Sequence, residues 1–413
     1  MQLDPGLVEL SSPIRVPDGA TDFEIAGAPE GTTLRASADF SGPALIVARK
    51  PVRLTIRNVM IDGNRSALER PSGLPPSDVP FYRFTANNGI LIEDGATVLI
   101  EDVRLREIAG FAILVAHSRD VKIRRVSVES SGGRNDKKRN NTTGGVLIED
   151  GTAGFEVTES TFRNVLGNGI WTHSRYESPR NRDGLIAQNR FDGIGRDAIQ
   201  VGHATAVRVE RNTGSRIGYP VDAVDVENGG TPVAIDTAGN VDATVYAQNR
   251  FEEINGKCID LDGFHNGRVE DNTCINRKHA SEYPFGHYGI VFNNTNPDMR
   301  SENIVVKGNV VEGAKYGGIF LIGRGHTITG NRLQELNQAR CDDCQYFEGE
   351  PDLLRSGIYL GKRAERPDPS IGNRIEENII TGYKMDRRCI VAAPGVLISS
   401  NTIRGNTCEA STR

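Results

Sequence analysis

A motif that recurs about every 22 to 23 residues constrains the fold of this chain more than any other feature. Each copy has a small residue and an apolar-x-apolar triplet, followed about a dozen residues later by Asn-x-apolar. Ile199 and Asn212 are 13 residues apart, and Asn189 and Ile199 are 10 apart. A fixed period of this size is the signature of a repeat architecture.

The copies run along most of the chain. The small residues that open the triplets are Gly89, Ala112, Gly145, Gly169, Ala198, Ala223, Cys258, Gly289, Gly318, Gly357 and Cys389. The repeat asparagines are Asn189, Asn249, Asn272, Asn309, Asn331, Asn378 and Asn401. Short strands without a helical stripe predict one coil per repeat, with alternate apolar residues pointing into a narrow core. Asparagine tolerates a left-handed turn, and its amide can bond to the same amide one coil away, so we expect an internal ladder.

On these repeats the chain resembles the pectate-lyase-like superfamily of right-handed parallel β-helices. The resemblance extends over roughly residues 30 to 405 and implies an all-β solenoid of about 11 to 12 coils. We expect residues 1–30 to cap its N-terminal end and residues 31–413 to form the β-helix. Leucine-rich repeats share the period, but their denser leucine consensus is missing here. The superfamily contains glycoside hydrolases, polysaccharide lyases, epimerases and phage tailspikes.

Insertions stretch some of the repeats at equivalent points of the coil. One set falls before the apolar triplets and the other falls after them. The insertions span residues 61–87, 130–143, 277–287 and 334–355 in the first set, and 175–184, 228–243, 294–302 and 362–371 in the second. Insertions at equivalent points emerge along the same edge of a solenoid. Two such edges would flank one sheet and form the walls of a groove.

Outward-facing positions of the triplet strands carry a polar cluster in successive coils. The residue after the first apolar position faces outward, as does the residue two further on. We expect the catalytic residues to be Asp225, Glu227, Asp260, Asp262 and His265. We expect the substrate-binding residues to be Trp171, His173, Gln200, His203, Asn293, Phe320 and Tyr359. Aromatic faces stack on sugar rings, and carboxylates and amides bind hydroxyl groups, so this pattern favours a sugar-binding cleft.

The carboxylates are predicted to lie in opposed pairs. In this register Asp225 faces Asp260 and Glu227 faces Asp262, which is unfavourable unless one member holds a proton or a cation lies between them. The diagonal from Asp225 to Asp262 is roughly 8 Å, which suits an inverting glycosidase. One alternative register remains: if Val233–Asp236 is the true strand, then Asp236 replaces Asp225 on the floor of the groove.

Three functions follow from this arrangement. The first is hydrolysis of a polysaccharide by paired carboxylates, with no cofactor required; Gln200, Asp225-Val226-Glu227 and His265 are similar in type to the residue set of β-helical iota-carrageenases. The second is a lyase or epimerase that acts on a uronic acid polymer with bound calcium. Its base would come from a turn, at Lys257, Arg277, Lys278 or Arg324. The third is a glycan-binding, adhesin-like protein without catalysis.

Charge and cysteine content bear on partners and compartment. The net charge is −5 without a dominant basic stripe, and no run of eighteen apolar residues occurs, so we expect neither nucleic acid nor a membrane as partner. Monomer and homo-oligomer both stay open.

Cys258 with Cys274 and Cys389 with Cys408 each lie within one repeat, which predicts disulfides in an oxidising compartment, with buried thiols as the alternative. We expect a secreted or periplasmic protein whose leader has been removed.

Overall fold

Three short parallel strands make up each coil of this protein, one more than the repeat pattern predicts. The computed structural model describes residues 1–411, and only the backbone of residues 228 and 229. The chain divides into two compact units, the first formed by residues 1–207 and 219–230 and the second by residues 208–218 and 231–413. We name the strands of a coil, in chain order, row A for the apolar triplets, row B for the new strand, and row C for the asparagine strand.

Unit 1 contains seven row A strands. They are Ile14–Val16, Ala44–Arg49, Asn88–Glu93, Ile113–Ala116, Val146–Glu149, Ile170–His173 and Ile199–Val201. Row B contains Phe23–Ala26, Arg53–Arg57, Thr97–Glu101, Arg119–Arg124, Ala153–Thr158 and Asn181–Ala187, and the strand Ala204–Glu210 contains the unit boundary. Row C contains Gly6–Leu10, Thr32–Ala36, Met60–Asp62, Arg104–Arg106, Ser127–Glu129, Thr161–Val165 and Arg190–Ile194.

Unit 2 contains six row A strands. They are Val233–Asp242, Lys257–His265, Ile290–Asn293, Ile319–Leu321, Ile358–Leu360 and Ile390–Ala392. Row B contains Val245–Ala247, Arg268–Glu270, Val305–Lys307, Thr327–Thr329, Arg374–Glu376 and Thr402–Arg404. Row C contains Thr213–Ile217, Arg250–Ile254, Thr273–Ile275, Val310–Glu312, Arg332–Leu336, Ile379–Gly382 and Thr407–Ala410.

Helical structure in the described residues is confined to single turns. The α-helical turns are Arg65–Leu68, Phe81–Phe84 and Val226–Gly229, and the 3-10 turns are Val221–Ala223, Ala280–Glu282, Leu353–Arg355 and Ile398–Ser400. No helix among the described residues is long and apolar enough to cross a membrane. The prediction of an all-β parallel β-helix is therefore confirmed, with more coils than the predicted 11 to 12 because the strands begin earlier in the chain.

The earlier start lies in the segment predicted to be an N-terminal cap. Residues Gly6–Leu10 pair in parallel with residues 32–36, and Ile14–Val16 pair with residues 46–48. The segment therefore has the strands of a regular coil. Its role as a cap stays a prediction.

Alternation along row A produces the core of each unit. Ile90 and Ile92 point inward and have no exposed surface. In unit 1 the outward positions from Val47 to Trp171 carry a second set of apolar side chains, covered by Phe81 and Tyr82 of the insertion between residues 63 and 87. The cluster under this cover consists of Ala44, Val47, Phe81, Tyr82, Leu91, Phe111, Leu114, Ala116, Leu147 and Trp171. Burial of each large side chain stabilises the unit by about 1.5–3 kcal/mol, so the insertion is a structural layer of unit 1.

The predicted asparagine ladder is confirmed in unit 2. At each step the side-chain amide and the backbone N–H donate to the Oδ1 atom of the next asparagine, over 2.8–3.1 Å. The members are Asn212, Asn249, Asn272, Asn309, Asn331, Asn378 and Asn406. Asn401 was predicted to end this ladder, but it belongs to a second one, in which its Oδ1 accepts from the backbone N–H of Asn373.

All six cysteines are paired. The disulfides join Cys258 to Cys274, Cys389 to Cys408 and Cys341 to Cys344. The two predicted disulfides are confirmed, and each links the start of a row A strand to the row C strand that follows it within the coil. The third closes a short turn in the 337–355 loop.

Candidate active site

The strand that pairs with Lys257–His265 on its N-terminal side is Val233–Asp242. Ile235 pairs with Ile259, and Ala238 pairs with Asp262, so Asp236 lies opposite Asp260. The prediction that residues 223–226 form this strand is wrong, and the alternative register through Asp236 is confirmed. Since proline cannot donate to a ladder, the strand begins only after Pro232.

Asp225 and Glu227 instead belong to a loop of unit 1, so their predicted pairing with Asp260 and Asp262 is wrong. The amide of Asn135 donates to Asp225, and the backbone N–H of Asp225 donates to Asn140 over 2.8 Å. Lys137 forms an ion pair with Glu227, and this contact lowers the pKa of Glu227. These contacts tie the loop to the 135–140 insertion, beside a cavity of about 440 Å³. The repeat spacing alone had placed the two acids on a strand.

The acidic cluster of the row A sheet lies in unit 2. Asp260 is 5% exposed and Asp236 is 8% exposed. Lys257 donates a hydrogen bond to Oδ2 of Asp260, while the Oδ1 atom of Asp260 is buried without a hydrogen-bond partner among the described residues. Burial by itself lowers the pKa of Lys257, but the charge and hydrogen bond of Asp260 and the charge of Asp236 outweigh burial and raise it. The lysine is the cation that two opposed carboxylates require.

Asp262 completes the cluster two residues further along the strand. Its Oδ1 accepts a hydrogen bond from the backbone N–H of Thr295 over 2.8 Å, and Asn293 pairs with it on the next strand. Burial and the charge of Asp260 raise the pKa of Asp262 to about 6, although the Thr295 bond opposes the shift. One carboxyl of the cluster thus holds its proton far more readily than an ordinary aspartate, as a general acid requires.

A histidine and a tyrosine lie beside Lys257. Burial, followed by the charges of Lys257 and Lys315, lowers the pKa of His287 to about 3, so this imidazole is neutral. Its ring centroid is 5.8 Å from that of Tyr346, at an interplanar angle of 86°. Tyr346 is 58% exposed and its phenol contributes to the electrostatic environment of Lys257. The repeat pattern singles out neither residue because both lie in insertions.

The three aromatic residues expected to stack on sugars are buried. Trp171 is 7% exposed and packs edge-on against Phe81 at 4.9 Å. Phe320 is 6% exposed and stacks on Tyr359 at 6.2 Å, and the Tyr359 hydroxyl donates to Glu350 over 2.9 Å. Insertions cover these outward positions, so the three rings are not open platforms, and their roles in substrate binding stay predictions.

The remaining predicted residues fall into separate places. Trp171, His173 and Gln200 line a cavity of about 240 Å³ in unit 1, where Gln200 accepts a hydrogen bond from Asn168 over 2.7 Å. His203 lies against Tyr176 at 4.4 Å. His265 ends its strand, and its Nε2 atom lies 3.5 Å from Oδ1 of Asp242. The structure thus brings Asp260, Asp262 and Asn293 together, and the binding roles of the others stay predictions.

The arrangement of potential metal ligands gives no further grouping. Among residues 1–411, no group of three or more His, Cys, Asp or Glu side chains is placed to hold a metal ion. Asp236, Asp260 and Asp262 give the cluster three carboxyl groups, and Lys257 gives it one ammonium group.

A comparison of the sequence with models of known protein families agrees with this fold. A model described as the right handed beta helix region matches residues 53–237 and 137–333. The chain belongs to this β-helix family. No curated protein matches the chain by sequence.

Solved structures with the same β-helix are distant in sequence. The Dettilon tailspike protein is 15% identical with a TM-score of 0.56, over 96% of this chain and 62% of the tailspike. The pre-mature gene product 12 of bacteriophage phi29 is 11% identical with a TM-score of 0.62, over 98% of this chain and 53% of that protein. The catalytic domain of a GH87 α-1,3-glucanase, in complex with tetrasaccharides, is 11% identical with a TM-score of 0.53, over 96% and 63%. This chain spans less than two thirds of each, and the likeness shows the fold.

Proposed function

We propose that this protein hydrolyses glycosidic bonds of a polysaccharide at the cluster of Asp236, Asp260 and Asp262. One observation carries the proposal: a carboxyl whose pKa is raised to about 6 stands on the same strand as a second carboxylate that is ion-paired to a mostly buried lysine. Acid–base hydrolysis needs two carboxyl groups in different protonation states, and environments that differ in this way provide them.

Each residue of the cluster has a distinct role in this mechanism. Asp262 protonates the departing glycosidic oxygen because its raised pKa keeps the proton available. Asp236 accepts a proton from the attacking water. Lys257 holds Asp260 in place and offsets the negative charge that Asp236 and Asp260 bring to adjacent strands.

The strand geometry favours inversion at the anomeric carbon. Adjacent strands lie roughly 4.8 Å apart and alternate residues on a strand roughly 6.6 Å apart, so the diagonal between the Cα positions of Asp236 and Asp262 is about 8 Å. Side chains stand roughly perpendicular to a sheet, so the two carboxyl groups keep about this separation, which lies in the range in which a water molecule fits between the acid and the base. The predicted diagonal is therefore kept, with Asp236 in place of Asp225.

Carbohydrate as the substrate draws support from the fold comparisons. The same β-helix occurs in a GH87 α-1,3-glucanase that was solved with tetrasaccharides, and in a tailspike. One fold serves many functions, so these likenesses support a carbohydrate as substrate but do not identify which carbohydrate. The three disulfides favour a secreted or periplasmic location, because such bonds persist in oxidising compartments.

A polysaccharide lyase is the second candidate, favoured by the presence of Lys257 in the cluster. A lyase base must first lose its proton, whereas the surroundings of Lys257 raise its pKa. In the hydrolase mechanism Lys257 acts through its positive charge, so it does not have to lose its proton. Calcium as a cofactor of the lyase stays a prediction.

The deciding experiment is a panel of neutral and acidic polysaccharides, incubated with the protein in water enriched in oxygen-18, with the products weighed by mass spectrometry. We expect products that carry one added labelled water. Asp262→Asn and Asp236→Asn should both abolish product formation. Asp242→Asn is the matched control, because this partly exposed carboxylate lies on the same strand as Asp236.

Each other outcome selects a rival. Unsaturated products without added water, lost with a chelator and restored by calcium, would replace the hydrolase with a lyase. Cleavage that survives Asp262→Asn would remove this site from the mechanism. Intact polymers with tight binding would favour the adhesin-like function.

A further inference from the structure

The carboxylate cluster needs a surface that holds the sugar ring, and the aromatic residues first expected to provide it are covered. Tyr346 is the one aromatic side chain of the described part of unit 2 that is largely open to solvent. We propose that Tyr346 is the sugar-stacking residue of this site and that it binds the apolar face of a pyranose ring next to the carboxylates. The assignment rests on the proposed function.

The ring of Tyr346 is held in a defined orientation. The His287 ring meets it edge-on, and Phe347 packs against it at 4.9 Å and 70°. Arg363 in turn lies over the Phe347 ring at 4.7 Å. An aromatic side chain that is fixed on two sides loses little conformational freedom when a ligand binds, so its contact contributes more to affinity.

The loop that carries Tyr346 is anchored on both sides of it. On one side, the side chain of Asn337 accepts from the backbone N–H of Cys341 over 2.9 Å. On the other, Glu350 has no exposed surface and accepts a hydrogen bond from Tyr359. Asp342 is bound by Lys384 over 2.7 Å, and its hydrogen bonds lower the pKa of Asp342 to about 2. The exposure of Tyr346 is therefore a feature of an ordered loop.

Its neighbours identify the ligand chemistry. His287, whose ring meets Tyr346 edge-on, donates from its backbone N–H to the carbonyl of Gly256, directly before Lys257, whose ammonium group contacts Asp260. A ligand that covers the tyrosine ring would lie at this end of the strand, on the side of the carboxyl cluster whose least buried member is Asp262. A flat apolar face next to hydroxyl acceptors fits a pyranose ring, which has apolar C–H faces and a hydroxylated edge.

The test compares three variants on whichever polysaccharide the protein cleaves. Tyr346→Ala should raise KM on the order of 3- to 10-fold with kcat changed less than about twofold, because stacking contributes to binding of substrate and transition state alike. Tyr346→Phe keeps the ring and should stay near the wild-type KM. Tyr176→Ala is the matched control, since Tyr176 is 56% exposed and also packs edge-on against a histidine.

The outcomes separate this inference from the proposed function. Unchanged KM in Tyr346→Ala, while Asp262→Asn is inactive, overturns the stacking role and leaves the hydrolase intact. Equal losses in Tyr346→Ala and Tyr176→Ala also overturn it, as does a concentration-dependent dimer that Tyr346→Ala abolishes. If no polymer is cleaved, electrophoresis through gels that contain each polysaccharide decides: retardation that Tyr346→Ala removes and Tyr346→Phe keeps supports the stacking role, and its absence overturns it.

Discussion

The ammonium group of Lys257 is bonded to the carboxylate of Asp260, three residues along the same strand, and the side chains of both are less than one fifth exposed. Burial of two charges is costly unless they are paired with good geometry. The opposed carboxylate of Asp236 adds a second negative charge beside the same lysine. The pair is thus both the electrostatic centre of the candidate site and a structural constraint on unit 2.

Removal of the lysine should destabilise the protein strongly. We expect Lys257→Met to lower the free energy of unfolding by about 3–5 kcal/mol, because the charge of Asp260 is then buried without its partner. The double variant Lys257→Met/Asp260→Leu should recover most of that loss. Urea denaturation measures both. Arg250→Met is the control, since the Arg250–Glu252 pair is exposed and contributes about 1 kcal/mol or less. Equal losses in the two single variants would contradict the prediction.

Activity should fall as Asp262 loses its proton. The pKa of this carboxyl is raised to about 6, so the protonated acid decreases tenfold for each pH unit above that value. We therefore expect kcat/KM to decline above about pH 6. A profile of initial rates between pH 4 and 9 measures the decline. A rate that stays constant up to pH 8 would contradict the role of Asp262 as the acid.

Acid should destabilise unit 2 through His326. Burial lowers the pKa of His326 to about 4, and its Nδ1 accepts a hydrogen bond from the backbone N–H of Ile304. The unfolded chain takes up the proton first, near pH 6.5, so stability is complete above that pH and falls until about pH 4. The loss should reach roughly 3.5 kcal/mol, from about 1.4 kcal/mol per pKa unit.

The substitution His326→Asn should reduce the slope of this dependence and leave the part that comes from His287, whose pKa burial also lowers. Urea denaturation of the wild type and the variant at several pH values between 4 and 7 compares the slopes. His279→Asn, at an exposed turn, should leave the slope as in the wild type. A slope that is unchanged in His326→Asn would show that this histidine is not the source.

Substitution of an interior asparagine of the ladder should cost more stability than substitution of the terminal asparagine. Asn309 is 1% exposed; it donates to Asn331 and to the carbonyl of Val269, and it accepts from Asn272. We expect Asn309→Ala to cost about 2–4 kcal/mol, because it leaves several buried groups without partners at about 1–3 kcal/mol each. Asn406→Ala, at the partly exposed end, should cost about 1 kcal/mol. Thermal or urea unfolding of the two variants tests the order, and an equal cost would contradict it.

The repeat pattern predicts some residues of the candidate site and not others. Asp260, Asp262 and Asn293 follow regular triplets, and their shared face was predictable from alternation. Asp236 appeared only as an alternative, because the 219–232 insertion contains a triplet at Ala223–Val226 that competes with the real strand. The repeat spacing alone cannot decide which of two such triplets forms the strand. The contacts of Asn135 and Asn140 with Asp225, which hold the first triplet in a loop, join residues about 90 positions apart in sequence.

The sequence by itself determined the parallel coils, the inward apolar positions, the asparagine ladder and two disulfides, because these depend on local periodicity that every coil repeats. Only the tertiary structure decided which outward positions are open. Phe81 covers Trp171, and the 337–355 loop covers Tyr359 while it presents Tyr346 to solvent. The path of an insertion follows from long-range packing and paired charges, so the periodicity of the coils carries no information about it.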